Sequence, residues 1–450
     1  MSQHVYSIKE AYDTKVFINK FEIDIGTMSQ IHKIVEHPSM TECKIRIMPD
    51  CHRGVFGCVG LTSKLSQTNP KICPNLIGVD IGCGICTYPL NNNLLDKHTL
   101  AEIEEIIRLT IPMGNSGVNE VPFNDTDKII EIICRESQLL AIDFRNEYKS
   151  VYDIDLNPFM PNYSTDWLKQ KCASLKLDYE YMTRSLGTLG GGNHFVELNQ
   201  SENKELYLTI HCGSRCLGSA ICHYHQEKIN ETRYIDWASY EKDVERMKRH
   251  TKVPKELKNY ADNLRQELIE AKHTDYLELE EAYEYFFDMI FAQEFAKWNR
   301  RTIIKEVLTK LNINFDSDLV IESVHNYVDF NDMIIRKGAI SAHADKLCIV
   351  ALNQRDGILL LQSKYENDEW NYSAPHGCGR RLTREQAKSQ LKLSEVKEQM
   401  KDVYSTTVVE ETIEESPDAY KDPNLILEII RPYFNIKNIL KPLINVKGIN

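Results

Sequence analysis

Leu76-Ile77-Gly78-Val79-Asp80-Ile81-Gly82-Cys83-Gly84 runs from an apolar segment into a loop where a carboxylate and a thiol stand three residues apart among glycines. Leu76 to Val79 predicts a short strand. The glycines beyond it let backbone approach a ligand closely and permit positive φ. A strand end followed by a loop is a common place for functional residues. Similar ingredients recur in five further segments: Met48-Pro49-Asp50-Cys51-His52-Arg53-Gly54, Gly187-Thr188-Leu189-Gly190-Gly191-Gly192-Asn193-His194-Phe195-Val196-Glu197, His211-Cys212-Gly213-Ser214-Arg215, Val324-His325-Asn326 and Ser373-Ala374-Pro375-His376-Gly377-Cys378-Gly379-Arg380. Any one alone reads as an ordinary turn. Six together point to a site.

The chain around these segments alternates between strand and helix signals. Lys44 to Met48, Phe195 to Leu198 and Leu206 to Ile210 predict strands, as do Leu319 to Ser323, Leu347 to Leu352 and Ile358 to Gln362. Thr99-Leu100-Ala101-Glu102 has the form of a capping box opening a helix through Ile111, and Thr383-Arg384-Glu385-Gln386 repeats that form. Asp125 to Ser150 carries apolar residues at helical spacing. Residues 216–313 are the most helical and most charged part of the chain. The expected fold is mixed α and β (α+β): one domain over 1–450, a central β-rich metal-binding body with a helical insertion at 216–313.

Composition narrows the function. Over 450 residues, 42% hydrophobic and 27% charged content exclude global disorder. The longest apolar runs, such as Leu347 to Leu352, fall far short of the ~20 residues a membrane span needs. Met1-Ser2-Gln3-His4 does not open a secretory signal. A net charge of −12 argues against holding polyanions by bulk charge, so nucleic acid would have to meet a local patch. The 13 cysteines read as reduced thiols in the cytoplasm.

The residue types state the chemistry on offer. Asp80 and Cys83 could face one metal, and a metal-bound thiol is deprotonated and able to bridge two cations. His194, His211 and His325 add imidazoles. This set is too large for one closed tetrahedral site and suits two metals sharing a sulfur. Cations ~3.5–4 Å apart are a usual device for in-line displacement at phosphorus. The competing reading is structural zinc at Cys83 and Cys86, or among Cys216, Cys222, His223 and His225; the latter group falls on one helix, where its members cannot all converge. Cys43, Cys134 and Cys172 read as small core residues. There is no G-x-x-x-x-G-K-[ST] loop and no G-x-G-x-x-G fingerprint. Asp356-Gly357 lacks the lysine that would make it a nucleotidyl-transfer motif. If the protein forms a nucleotidyl intermediate, His376, in a glycine-rich turn with Arg380 and Arg381 following, is the obvious substitute nucleophile.

Taken together, the segments resemble the RtcB-type RNA ligases from Met48 to Gly448. Arg336-Lys337-Gly338-Ala339 and Val446-Lys447-Gly448 add to the likeness. The resemblance implies a GTP- and Mn²⁺-dependent enzyme with two ions, joining an RNA 3′-phosphate or 2′,3′-cyclic phosphate to a 5′-hydroxyl. Carried over by position, Asp80, Cys83 and His194 would bind one metal, and Cys83, His211 and His325 the other. His376 would carry GMP, with Asp50 assisting its activation. Asn193, Glu197, Asn326, Gly377, Gly379 and Lys447 would surround the guanylate. The role would lie in RNA repair or tRNA splicing, with room for an activating protein partner.

The chain departs from the family in three places. Ala351-Leu352-Asn353-Gln354-Arg355-Asp356-Gly357 replaces a P-G-S-M-G stretch, Cys216 stands where glycine is usual, and Pro375 where cysteine is common. These mark a divergent branch. Candidate RNA contacts are Arg246, Lys248, Arg249 and Lys252, Arg300 and Arg301 beside Trp298, and Arg380, Arg381 and Arg384. For the first two groups the alternative is a solvated helix face. Two other functions compete with ligation: a metal-dependent phosphodiesterase or phosphatase acting on RNA ends, and a non-catalytic relative that binds them.

Overall fold

In a computed structural model, which describes residues 5–8, 13–68, 70–90, 93–123, 125–232, 237–251, 253–272 and 275–449, the strands fall into two main sheets. In chain order they are β1 (Tyr6–Ser7), β2 (Thr14–Val16), β3 (Lys44–His52), β4 (Val59–Lys64), β5 (Gly84–Leu90), β6 (Phe195–Gln200), β7 (Leu206–Cys212), β8 (Ile321–Val324), β9 (Asn326–Asp329), β10 (Ile334–Lys337), β11 (Ala339–Ser341), β12 (Leu347–Asn353), β13 (Gly357–Ser363), β14 (Ser373–Pro375) and β15 (Phe434–Val446). The larger sheet has the order β12-β13-β15-β6-β7-β5-β8, the smaller β1-β2-β3-β4-β10-β9, and β11 pairs with β14. Every pairing between these strands is antiparallel except β2 with β3.

That antiparallel order decides where the loops meet. Gly84 pairs with both Cys212 and Val324, Phe195 with His211, and Val446 with Val196. The starts of β5 and β6 and the ends of β7, β8 and β15 therefore lie on one edge of the larger sheet. Asp80, Cys83, His194, His211, His325 and Lys447 all belong to that edge.

Both faces of the sheet are covered. Ile85, Phe195, Ile349, Ile358, Leu360 and Leu440 pack on one side. On the other, Cys86, Tyr88, Val196, Leu198, Leu208 and Ile210 meet Ile303, Ile304, Val307 and Leu308 of the helix Leu279–Lys310. This helix also buries Phe286 and Phe287 against Phe144 of the helix Thr126–Tyr152, with ring centroids 5.6 and 5.8 Å apart. Aromatic edge-to-face packing of this kind adds to simple area burial.

The mixed α+β architecture is as expected, and so are most of the elements. Thr99 caps Leu100–Thr110 in a complete capping box with Glu102, and Thr383 does the same for Arg384–Gln390 with Gln386. Residues 216–313 fold largely as four helices, Arg215–Thr232, Trp237–His250, Pro254–Lys272 and Leu279–Lys310. The strand expected over Leu76 to Val79 is instead a helical turn, Pro74–Ile77. Proline supplies the fixed φ of a first helical residue, and Gly78, at φ 111°, ends the turn at once.

Candidate functional site

The loops at the sheet edge bring five sequence-predicted residues into two clusters sharing one sulfur. Asp80, Cys83 and His194 form one, and Cys83, His211 and His325 the other. Cys83 Sγ lies 3.4 Å from His194 Nε2 and 3.3 Å from His211 Nε2. His194 Nε2 is 3.0 Å from Asp80 Oδ2, and His211 Nε2 is 3.3 Å from His325 Nε2. Close approach requires small neighbours: a Cβ on Gly213 would fall 2.1 Å from Asp80 Oδ1.

The donor chemistry suits cations. His211 donates its Nδ1–H to the Asn193 carbonyl at 3.1 Å, so its Nε2 turns a lone pair toward the cluster. Burial holds His211 and His325 well below the usual histidine range, with His194 lowering His211 further and His376 and His211 lowering His325, which keeps both as neutral imidazoles. Burial and then Asp80 push the Cys83 thiol up to about 12. A bound cation reverses that preference and makes the group a thiolate. Burial opposes ionisation of Asp80, but the hydrogen bond and charge of His194 outweigh it and bring the carboxyl below its ordinary value. These residues could hold one or two metal ions.

His376 follows β14 and faces this cluster, its ring centroid 4.9 Å from that of His325. Asp50, fully buried in β3, fixes it. Asp50 Oδ2 is 2.6 Å from His376 Nδ1 and accepts from the backbone N–H groups of His376 and Gly377 at 3.1 and 3.2 Å. His376 donates its Nδ1–H to this carboxylate, which leaves Nε2 as the free nitrogen. Gly379, at φ +71°, passes so close that a Cβ there would sit 1.9 Å from the Asp50 carbonyl oxygen. Two backbone carbonyls of β3, Pro49 and Cys51, accept from Lys421 Nζ and steady the strand on either side of Asp50.

The residues expected around a guanylate divide into three groups. Gly377 and Gly379 share the turn with Asp50. Asn326 spends its side chain on backbone, accepting from Gly338 N at 3.1 Å and reaching Asp80 O at 3.5 Å. Glu197 is buried beside Lys447 and takes hydrogen bonds from Asn199 and Asn445 at 2.8 and 2.7 Å. Burial raises its carboxyl to about 7 despite these bonds and Lys447. Lys447 Nζ lies 5.6 Å above the Phe195 ring, and Asn193 is exposed at the mouth of the same edge. Glu415 completes the surroundings: burial alone would raise it, but Lys447, Arg380 and Arg384 hold it down at about 2.

Of the basic residues expected to meet RNA, one is buried and most of the others have partners within the chain. Arg300 is fully buried and bonds Glu322 at 2.7 Å and the carbonyls of Gly82 and Cys212 at 2.8 and 2.7 Å. It braces the metal-type loops from behind. Arg301 is half-buried with its guanidinium 5.8 Å from the Trp298 ring. Arg246 and Lys248 are exposed and pair with Asp243 and Glu245 on their own helix, as a solvated face does. Arg380 is tied to Glu415 and Arg384 to Glu414. Arg381 donates to the Asp418 carbonyl. Lys252 lies outside the described residues. For the zinc alternative, Cys86 packs in the apolar core, and Cys222 is buried while His223 is exposed, so neither group converges.

Two residues of this site carry no obvious signal in the sequence. Cys212 Sγ stands 3.7 Å from His194 Nδ1, on the opposite side of the ring from Asp80. Asn299, on the long helix, accepts from the backbone N–H groups of Gly187 and Thr188 and donates to Thr188 O, Gly213 O and Cys212 Sγ. A buried amide with every polar atom engaged locks two loops together. Its position on a helix more than eighty residues from either loop hid it.

A family model described as tRNA-splicing ligase RtcB matches residues 30–448. Similar proteins include RNA-splicing ligase RtcB1 of Escherichia coli, 28% identical over 90% of each chain. The tRNA-splicing ligase RtcB of Nanoarchaeum equitans is 23% identical over 95% of this chain and 91% of its own. RNA-splicing ligase RtcB homolog 2 of Entamoeba dispar is 26% identical over 89% and 80%. The family match runs through Asp50, both donor clusters, His376 and Lys447, and the chain belongs to the RtcB family.

Proposed function

We propose that this protein is a GTP- and Mn²⁺-dependent RNA ligase that joins 3′-phosphate or 2′,3′-cyclic phosphate ends to 5′-hydroxyl ends, in RNA repair or tRNA splicing. The observation that carries the reading is His376. It is held at Nδ1 by Asp50, open at Nε2, and placed against a pair of donor clusters that share Cys83. Hydrolysis of RNA ends needs metals but no nucleotide carrier, so this arrangement favours ligation over a phosphodiesterase or phosphatase. A passive RNA-end binder would need neither.

In this reading Asp80, Cys83 and His194 would hold one ion and Cys83, His211 and His325 the other, and cations held there would supply charge to offset that of the phosphates. A cyclic phosphate is first opened by water, whose oxygen bonds to phosphorus as the bond to the ribose 2′-oxygen breaks and that oxygen takes up a proton, which leaves the 3′-phosphate. His376 Nε2 attacks the α-phosphorus of GTP, an N–P bond forms, and the bond to pyrophosphate breaks. Asp50 keeps the ring in the tautomer that leaves Nε2 unprotonated and offsets the charge that develops on it. Asn193, Glu197, Asn326, Gly377, Gly379 and Lys447 surround the guanylate. GMP then passes to an oxygen of the RNA 3′-phosphate, and the 5′-hydroxyl displaces it. Unpaired thiols throughout the chain support a reducing compartment, the cytoplasm.

The test is guanylylation. Protein with Mn²⁺ and GTP labelled at the α-phosphate should retain label after denaturation, acid-labile and alkali-stable, and His376→Ala should not. Labelled ATP run alongside reads what the 351–357 stretch does to nucleotide choice. A folded, metal-loaded protein with no adduct from either nucleotide would overturn the mechanism.

A further inference from the structure

His52 ends β3 two residues beyond Asp50 and has no part in the steps above. Its Nδ1 lies 3.0 Å from the backbone oxygen of Asp50, which can only accept, so Nδ1 carries the ring proton and Nε2 keeps its lone pair. Among the described residues Nε2 makes no hydrogen bond, and the side chain is half-buried rather than sealed. The ring faces His376, with centroids 6.3 Å and planes 19° apart.

Between GTP and the joined RNA, the chemistry asks for one proton acceptor. Two of the proposed nucleophiles bring no proton to lose: His376 Nε2 is already bare, and a 3′-phosphate is already ionised. The 5′-hydroxyl must shed one. Other bases near His376 are committed. Asp50 Oδ2 serves the His376 ring and two backbone N–H groups, while Asp50 Oδ1 is shut off from solvent and cannot meet a substrate hydroxyl. Asp80, Cys83, His194, His211 and His325 point their donor atoms at one another.

We propose that His52 Nε2 takes the proton of the 5′-hydroxyl in the joining step, an assignment that rests on the ligase reading. The hydroxyl oxygen bonds to the RNA phosphorus, the P–O bond to GMP breaks with its electron pair leaving on the GMP phosphate, and the proton moves to Nε2. The imidazolium then releases it to solvent. In the free protein burial, with His376 and Lys421 nearby, lowers His52 to about 4 against the opposing pull of Asp50. Phosphates of a bound RNA end bring negative charge beside the ring and raise its proton affinity, the direction a base at neutral pH needs.

The experiment separates the steps in wild type, His52→Gln and His52→Ala, all checked for equal melting temperature. Three rates are read with Mn²⁺ present: label transfer from GTP to protein, capping of a 3′-phosphate RNA that has no 5′-hydroxyl partner, and joining of that capped RNA to a 5′-hydroxyl strand. The first two should stay within about 3-fold of wild type, and joining should fall about 10²- to 10⁴-fold in both variants. The acid limb of the joining rate should vanish with His52, and added imidazole should partly restore His52→Ala. Joining at the wild-type rate in His52→Gln overturns the assignment. So does an equal loss in all three steps, which would make His52 a support for His376. Absence of the protein adduct in wild type is a different result and overturns the ligase reading itself.

Discussion

At the scale of single residues, the Asp50–His376 pair makes the sharpest claim. Asp50→Asn keeps the size of the side chain but removes the charge that holds the ring, and can leave the Nδ1 proton without its carboxylate. Guanylylation should fall by about 10²-fold or more while the fold persists, read from adduct formation and circular dichroism on the same sample. Glu197 makes a second claim through pH. Its carboxyl is raised to about 7, so the folded state binds this proton more tightly than the unfolded state does. The stability it contributes is complete below about pH 4.5 and is lost as pH rises to about 7. Glu197→Gln should therefore flatten the stability–pH curve across that window, by on the order of 3 kcal/mol, measured by urea unfolding at pH 5 and pH 8.

At the scale of elements, the long helix Leu279–Lys310 is as much a part of the site as the loops are. Arg300 ties Gly82 and Cys212, at opposite sides of the donor clusters, to one guanidinium, and Asn299 ties Gly187 and Thr188 to Gly213. Arg300→Leu leaves Glu322 unpaired and two buried carbonyls unsatisfied, which costs about 3–5 kcal/mol. Thermal melting should show the loss. The sequence made this stretch legible only as part of a helical region, 216–313, from its composition. It did not make Asn299 and Arg300 legible as braces, and Arg300 read as a surface cation. The partners of both residues come from remote parts of the chain, so nothing in the local pattern separates a buried arginine with three acceptors from an exposed one. The same limit explains Leu76 to Val79: the apolar run was visible, but Pro74 before it and Gly78 within it turn the chain into a helical turn.

At the scale of the whole molecule, imidazole lone pairs and a carboxylate converge on one thiol at the edge of a buried sheet, and a cation should stabilise the entire fold. Adding Mn²⁺ at about 100 times its dissociation constant should raise stability by about 2.7 kcal/mol. Chelation should reverse the gain, and Cys83→Ala should abolish it, read as a shift in melting temperature with and without metal. The residue types in the six segments determined by themselves what chemistry this protein has available. A carboxylate, a thiol and several imidazoles are a ligand set wherever they meet, and capping boxes and alternation mark helices and strands through local forces alone. Which of those residues meet was decided only by the tertiary structure. Antiparallel pairing puts the start of one strand beside the end of the next, so loops more than a hundred residues apart in the chain share one edge. The tautomers of His211, His376 and His52 were decided there too, because each is set by a backbone carbonyl or a carboxylate that only the folded chain brings within hydrogen-bond reach.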